Sequence, residues 1–170
     1  GQEHGAWSLF VGDDGSQDAT CDIIRAFGDA HPQRDVQLVA GPGRGSAANF
    51  LTQAAAAVRP GDWLAFADQD DVWMPHKLAR ALDQIGPVAA GEVVAYSSRA
   101  HLADADLTPQ GISPLHPRPP GFGNALVQNV ISGYATVLSP AAADLVVRSV
   151  PHALAAGVPF HDWWIYQVIT

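Results

Sequence analysis

The sequence predicts one α/β domain over residues 1–170, with a mostly parallel sheet and helices on both of its faces. Three observations carry that expectation. Short apolar runs alternate with helical periodicity through the first half of the chain. Polar or glycine-rich turns follow the apolar runs, as at "GDDGSQDAT" and "AGPGRGS". Hydrophobic residues make up 48% of the chain and charged residues 15%, which is the balance of a folded globular protein.

The elements follow in order. Trp7–Val11 reads as a short buried strand, and the turn after it opens a helix whose apolar face is Ile23, Ile24 and Phe27. Val36–Val39 is the next strand, and Ala47–Val58 an alanine-rich helix behind the glycine-rich loop. Trp63–Ala67 is a strand that ends at an acid cluster. Pro75 then suits a first helical position, with Leu78, Leu82 and Ile85 recurring at helical spacing behind it. Glu92–Ser97 is a fourth strand. Residues 108–123 hold five prolines and three glycines and read as a loop or flap. Val130–Leu138 reads as a strand, and Ser139-Pro140 starts a helix running to about Val147.

Bulk properties exclude several classes. The net charge of −8 disfavours nucleic acid as a partner, because a duplex-binding surface is normally basic. A phosphate-bearing ligand remains compatible, since a divalent cation bridges acid to phosphate. The single cysteine, Cys21, allows no internal disulfide and no all-cysteine metal site, and fits a reducing, cytoplasmic compartment. No apolar stretch approaches the ~20 residues that cross a bilayer, and the first residues lack the basic start and apolar block of a signal peptide. Both ends fall inside apolar patterns, so a piece of a longer protein is expected, with exposed sheet surface that favours self-association.

The stretch Leu64–Trp73, "LAFADQDDVW", concentrates the chemistry. Ligands of an open α/β sheet bind beyond the carboxyl ends of its strands, which is where Asp68, Asp70 and Asp71 fall. Two carboxylates about 4 Å apart repel by roughly 4 kcal/mol at an effective dielectric of about 20. A hard cation such as Mg²⁺ or Mn²⁺ offsets that repulsion, whereas a bland arrangement has one Asp capping the next helix and the others in water. An EF-hand loop fails, because its fifth and sixth places hold Val72 and Trp73. No Gly-Lys-Ser/Thr phosphate loop occurs, and Ser46 occupies the third glycine position of a dinucleotide fingerprint. The same stretch resembles the Asp-x-Asp-x-Val nucleophile motif of haloacid-dehalogenase-type phosphatases, with Asp68 as nucleophile and Asp70 as acid/base. Lys77, the only lysine, stands too close behind the cluster for the lysine that family needs.

Four ordered pieces point further: "VGDDGSQDAT" (Val11–Thr20), "GPGRGSAANF" (Gly41–Phe50), "FADQDDVWMPHKL" (Phe66–Leu78) and "HDWW" (His161–Trp164). In this order and spacing the chain resembles family 2 glycosyltransferases of the GT-A, Rossmann-like fold, and is most similar to their rhamnosyltransferase-like branch. The resemblance implies inverting transfer of a sugar, with rhamnose as a candidate, from a dTDP- or UDP-linked donor to a glycan or lipid-linked saccharide acceptor in polysaccharide synthesis. It implies Mg²⁺ or Mn²⁺ as cofactor, and the expected location is cytoplasmic, with a peripheral place at the inner face of the membrane as the alternative. It puts Asp13 and Asp14 by the nucleotide, with Asn49 and Asp68 toward the nucleotide-sugar, and Asp70 and Asp71 nearest the metal. It makes Asp162 the base that takes the acceptor proton. Gly133 and His161 fall among the nucleotide-sugar-binding residues, His161 orienting the acceptor or binding phosphate unless it is a packing or capping residue, with Trp73 either shaping the sugar and acceptor pockets or in the core, and Arg44 and Lys77 are candidate phosphate partners. The family's usual first strand, ending in a Thr-Tyr-Asn-like segment, has no counterpart here, so that strand is expected to be missing. A non-catalytic domain that binds a nucleotide-sugar or a partner protein is the third reading.

Overall fold

The computed structural model describes residues 1–87 and 91–170. Strand β1 (Ser8–Asp13) pairs in parallel with β2 (Asp35–Ala40), Ser8 opposite Asp35 and Asp13 opposite Ala40. A parallel pair needs a crossover, supplied by helix α1 (Thr20–Ala30). Asp18 secures its start by accepting from the Thr20 amide at 3.0 Å and hydroxyl at 2.6 Å. Helix α2 (Ser46–Ala57) leads to β3 (Leu64–Ala65), α3 (Lys77–Ile85) and β4 (Ala95–Ser97). A hairpin of β5 (His101–Ala103) and β6 (Pro109–Ile112) precedes α4 (Phe122–Ala125). A 3₁₀ turn at Gly133–Ala135 runs into β7 (Thr136–Leu138), then α5 (Pro140–Ala156) and α6 (His161–Ile169).

The α/β class expected from the sequence is present. Its pairing is parallel in β1–β2 and antiparallel in the three-stranded sheet β3–β7–β4. Because β7 lies between β3 and β4 and opposes both, those two strands run parallel to one another.

The core sits under this second sheet. Ala54 of α2, Phe66, Leu138 of β7, Ala142 and Val146 of α5, and Ile165 of α6 form one buried cluster. The alanines let α2 and α5 approach closely, and Leu51, fully buried, packs on Val150 and Ala153. Ser139 caps α5, its hydroxyl accepting from the Ala142 amide at 3.3 Å and donating to the Glu92 carbonyl at 2.9 Å.

Several boundaries differ from the sequence expectation. Helix α5 passes Val147 and Pro151 and stops at Gly157, whose φ of 63° is the left-handed ending glycine favours. Burial of Val150 and Ala153 outweighs the ladder bond lost at Pro151. The strand expected over Val130–Leu138 shrinks to three residues, because the Ser132 carbonyl turns the chain by accepting from the Ala135 amide (3.1 Å) and Thr136 hydroxyl (2.8 Å). The stretch read as a loop contains β6, with Leu107 at φ 61° and Gly111 at φ 157° shaping its hairpin. The expected apolar face of α1 is not buried. Ile23 is 65% exposed and Phe27 stacks on His31, because α1 meets β2 through Gly28, beside Val36.

Candidate active site

Predicted site residues gather at the carboxyl ends of β1 and β3 and at the start of α6. Asp13 ends β1 and accepts from the Gly15 amide at 3.1 Å and the Ser16 amide at 3.2 Å. The Ser16 side chain, with those two amides, holds its carboxyl below the usual range. Asp14 accepts from the amides of Gly43 (2.9 Å) and Gly45 (3.1 Å), tying the first turn to the glycine-rich loop. Glycine is required at 41 because a Cβ there would collide with the Asp14 carboxylate. Asn49, on the first turns of α2, donates to the Gly12 carbonyl at 2.6 Å and accepts from Gln53 at 3.3 Å. Asp14 and Asn49 therefore shape this end of the sheet from within. A carboxylate offers about four lone-pair sites, so Asp13 and Asp14 retain acceptor capacity.

Beyond β3 the buried Phe66 anchors a turn in which the Asp71 amide donates to the Asp68 carbonyl at 3.4 Å. Asp70 and Asp71 are exposed and Asp68 is half-buried. Burial, and then the charges of Asp71, Asp70 and Asp162, push the Asp68 carboxyl above its ordinary value. The Asp71 carboxyl is also raised, by burial and then Asp70, with Lys77 opposing. Phe66, two residues before Asp68, packs 5.1 Å from the ring of His161, the neighbour of Asp162, so the acid turn and the start of α6 adjoin although they stand far apart in sequence.

Asp162 lies in the first turn of α6, where a negative charge suits the helix dipole. Its Oδ2 accepts from the Gly133 amide at 3.2 Å and its Oδ1 from the Trp163 amide at 2.8 Å. The Trp163 and Trp164 indoles hold the helix down, donating to the Ala125 carbonyl (2.7 Å) and the Ser149 hydroxyl (2.8 Å). His161 is 9% exposed, with its ring 4.3 Å from that of Phe50 and 5.1 Å from that of Phe66. Burial depresses its pKa against the pull of Asp162. Its Nε2 has no hydrogen-bond partner among the described residues and faces Gly133, where an added Cβ would stand 2.6 Å from it. Phe66, Ile131, Gly133, Thr136, Asp162 and Ile165 line a narrow crevice beside the carboxylate.

The basic candidates turn to the protein. Arg44 donates to the Leu154 carbonyl at 3.3 Å, toward the end of α5. Lys77 donates to the Tyr134 carbonyl and lies 4.3 Å from the centroid of the Trp73 ring. Burial lowers the Lys77 pKa to about 8. Trp73 is half-buried, and its indole N–H has no partner among the described residues. Sequence reasoning missed Phe50 and Phe66 as the pair enclosing His161, and Tyr134 as the acceptor for Lys77. The only signal was adjacency, since Phe50 follows Asn49 and Tyr134 follows Gly133.

Among the described residues, no three Asp, Glu, His or Cys side chains converge as a ready metal cage. The donors nevertheless fit the ion the resemblance implies. Asp70 and Asp71 are hard oxygen ligands in a like-charged loop, and Mg²⁺ typically takes one or two carboxylates together with substrate phosphates.

The model of the family described as "Glycosyltransferase like family 2" matches residues 1–110, nearly two-thirds of the chain. The chain belongs to this family. An uncharacterized glycosyltransferase of Nostoc sp. is 36% identical over 83 residues, which are 48% of this chain. The chain spans about a quarter (24%) of the length of that relative. No solved structure matches. Membership in the glycosyltransferase-like family 2 weighs against the phosphatase alternative, and Lys77 donates to the Tyr134 carbonyl. The matched span contains Asp13, Asp14, Asn49, Asp68, Asp70 and Asp71. Gly133, His161 and Asp162 lie outside it.

Proposed function

We propose that the chain carries the donor and base sites of an inverting, divalent-metal-dependent glycosyltransferase that acts on a nucleotide-sugar. The observation that supports this most is proximity. Phe66, two residues before Asp68, lies 5.1 Å from the ring of His161 and lines one crevice with Asp162, so the start of α6 abuts the acid turn, and the Asp162 charge contributes, last after burial, Asp71 and Asp70, to raising the Asp68 pKa. A diphosphate leaving group at the acid turn and an attacking hydroxyl at Asp162 are the two ends of a sugar transfer.

In this reading Asp13, Asp14 and Asn49 build the nucleotide end and Asp68 faces the nucleotide-sugar. Asp70 and Asp71 are the metal-facing pair. A divalent cation, when bound there with the diphosphate, neutralises the charge that gathers on the leaving group. Asp162 takes the proton from the acceptor hydroxyl. The acceptor oxygen forms its bond to the anomeric carbon from the face opposite the diphosphate. The carbon–oxygen bond to the diphosphate breaks, and the nucleoside diphosphate leaves with the electron pair. Gly133 holds the Asp162 carboxylate through its amide, and its missing Cβ makes room for His161, which as a buried neutral ring positions α6. The dTDP- or UDP-linked donor, rhamnose as the sugar and a glycan or lipid-linked saccharide acceptor rest on the sequence resemblance.

Thermal-shift screening of the full-length protein against nucleoside diphosphates, with and without Mn²⁺, tests the donor site. Stabilisation that needs both is expected, and no metal-linked shift with any nucleotide would sink the reading in favour of a scaffold or partner-binding role. Asp162→Asn keeps an acceptor for the Gly133 amide, so it is expected to keep donor binding and lose transfer. Retained turnover would remove Asp162 from the base role.

A further inference from the structure

Lys77 makes contacts that neither the fold nor the proposed chemistry has used. It opens α3, six residues after the last aspartate of the acid turn. Its ammonium donates to the carbonyl of Tyr134, 57 residues away, and lies over the Trp73 ring. Tyr134 is the middle residue of the 3₁₀ turn Gly133–Ala135, whose first amide donates to Asp162. The side chain is half-buried and lies within the field of Asp71.

Its own segment is fixed as well. The Glu3 amide donates to the Pro75 carbonyl at 2.8 Å, Gln2 donates to the Met74 carbonyl at 2.9 Å, and the Leu78 amide donates to the Gln2 side chain at 3.1 Å. Lys77 therefore projects from a braced platform rather than from a loose loop. A charged donor on a carbonyl is among the stronger hydrogen bonds, and it is strengthened where water is excluded. The ring beneath adds cation–π attraction.

We propose that Lys77 is a positioning residue that clamps the Gly133–Ala135 turn to the acid turn, so that the Asp162 carboxylate is held at a set distance from the donor end of the site. The chain of contacts runs from Trp73 to the Lys77 ammonium, to the Tyr134 carbonyl, to the Gly133 amide and to the Asp162 carboxylate. Every link joins adjacent residues or is a direct contact. The Tyr134 carbonyl and the Trp73 ring favour the clamp over the phosphate-binding role expected from the sequence. The catalytic consequence rests on Asp162 being the base, whereas the clamp itself does not.

Lys77→Met and Lys77→Arg in the full-length protein provide the test. Met keeps the stem over Trp73 and removes the cation, while Arg restores a cation. Lys77→Met is expected to lower kcat by about tenfold to a hundredfold with donor KM within about twofold, and Lys77→Arg to recover much of kcat. A raised donor KM with unchanged kcat would assign Lys77 to phosphate binding and overturn the clamp. Collapse of the far-UV circular dichroism of both variants would reduce Lys77 to a folding role and overturn it too. Hydrogen exchange separates this proposal from the proposed function. In Lys77→Met the amides of Gly133 and Ala135 should exchange faster than in the parent, whatever the protein's activity, and unchanged exchange there would refute the clamp.

Discussion

Gly133 offers a sharp test of how the candidate site is packed. Gly133→Ala adds one methyl group whose carbon would stand 2.6 Å from His161 Nε2, 3.2 Å from His161 Cε1 and 3.2 Å from Asp162 Cβ. Ordinary carbon contacts lie near 3.5–4.0 Å, so something has to move by roughly 1 Å. The imidazole has little room to move, being 9% exposed and held between Phe50 and Phe66. Moving the turn instead lengthens the 3.2 Å bond from the Gly133 amide to Asp162. Overpacking of this kind costs about 1–3 kcal/mol. At about 2–4 °C per kcal/mol for a chain of this size, the melting temperature should fall by roughly 2–12 °C in thermal denaturation followed by circular dichroism. Gly123→Ala is the control. Its Cβ meets nothing within 4 Å, and alanine suits a helix better than glycine, so its melting temperature should hold or rise slightly. His161→Ala clears the space that the added methyl group needs, so the double variant should lose less than the two single losses summed. A Gly133→Ala protein melting within about 1 °C of the parent, or strict additivity with His161→Ala, would refute the close approach and the positioning role built on it.

Two further outcomes follow from burial and charge. Leu138→Ala should cost about 2–5 kcal/mol in denaturant unfolding, since the side chain is fully buried on the central strand β7 opposite Leu64 and Ala95, while Ile23→Ala on exposed α1 should stay within about 0.5 kcal/mol. Asp68→Asn should stabilise the metal-free protein at neutral pH. Burial and then three neighbouring carboxylates raise its folded pKa, so the folded state keeps that proton to higher pH than the unfolded chain, and stability falls as pH rises through the window just above the ordinary carboxylate value. Parent and variant should converge below that window in a melting series, and a parent that stays the more stable at neutral pH would contradict the repulsion.

The legible parts of this protein are those written locally. Asp68, Asp70 and Asp71 follow an apolar run, and the ligand-facing end of a strand can be inferred from that alone. Ser139-Pro140 announces α5 because capping and fixed φ act within one turn. The unread parts depend on distant residues. Gly12, Gly41 and Gly133 look like ordinary turn glycines until Asn49, Asp14 and His161 are seen to occupy the space a Cβ would need. Helix α1 carries an apolar set that periodicity assigns to a core, yet the chain leaves Ile23 in solvent, and periodicity cannot say which faces find a partner. Lys77 stands in the sequence as a phosphate candidate because sequence shows a charge beside an acid cluster and not the Tyr134 carbonyl to which it donates.

The two ends of the proposed reaction are linked by the geometry of a single helical turn. Asn49 reaches the Gly12 carbonyl at the end of β1, and its neighbour Phe50 lies against His161, the residue before Asp162. Successive residues on a helix point about 100° apart, so α2 serves two faces with adjacent side chains and fixes their separation without any flexible segment between. The helix is itself immobilised by Leu51 and Ala54 in the core. Effective attack requires reacting atoms within a few tenths of an ångström of alignment, which side chains on loops alone hold poorly. A rigid helix carrying both contacts, with Lys77 bonded to the Tyr134 carbonyl, is what the proposed reaction needs to keep acid groups far apart in the chain in register.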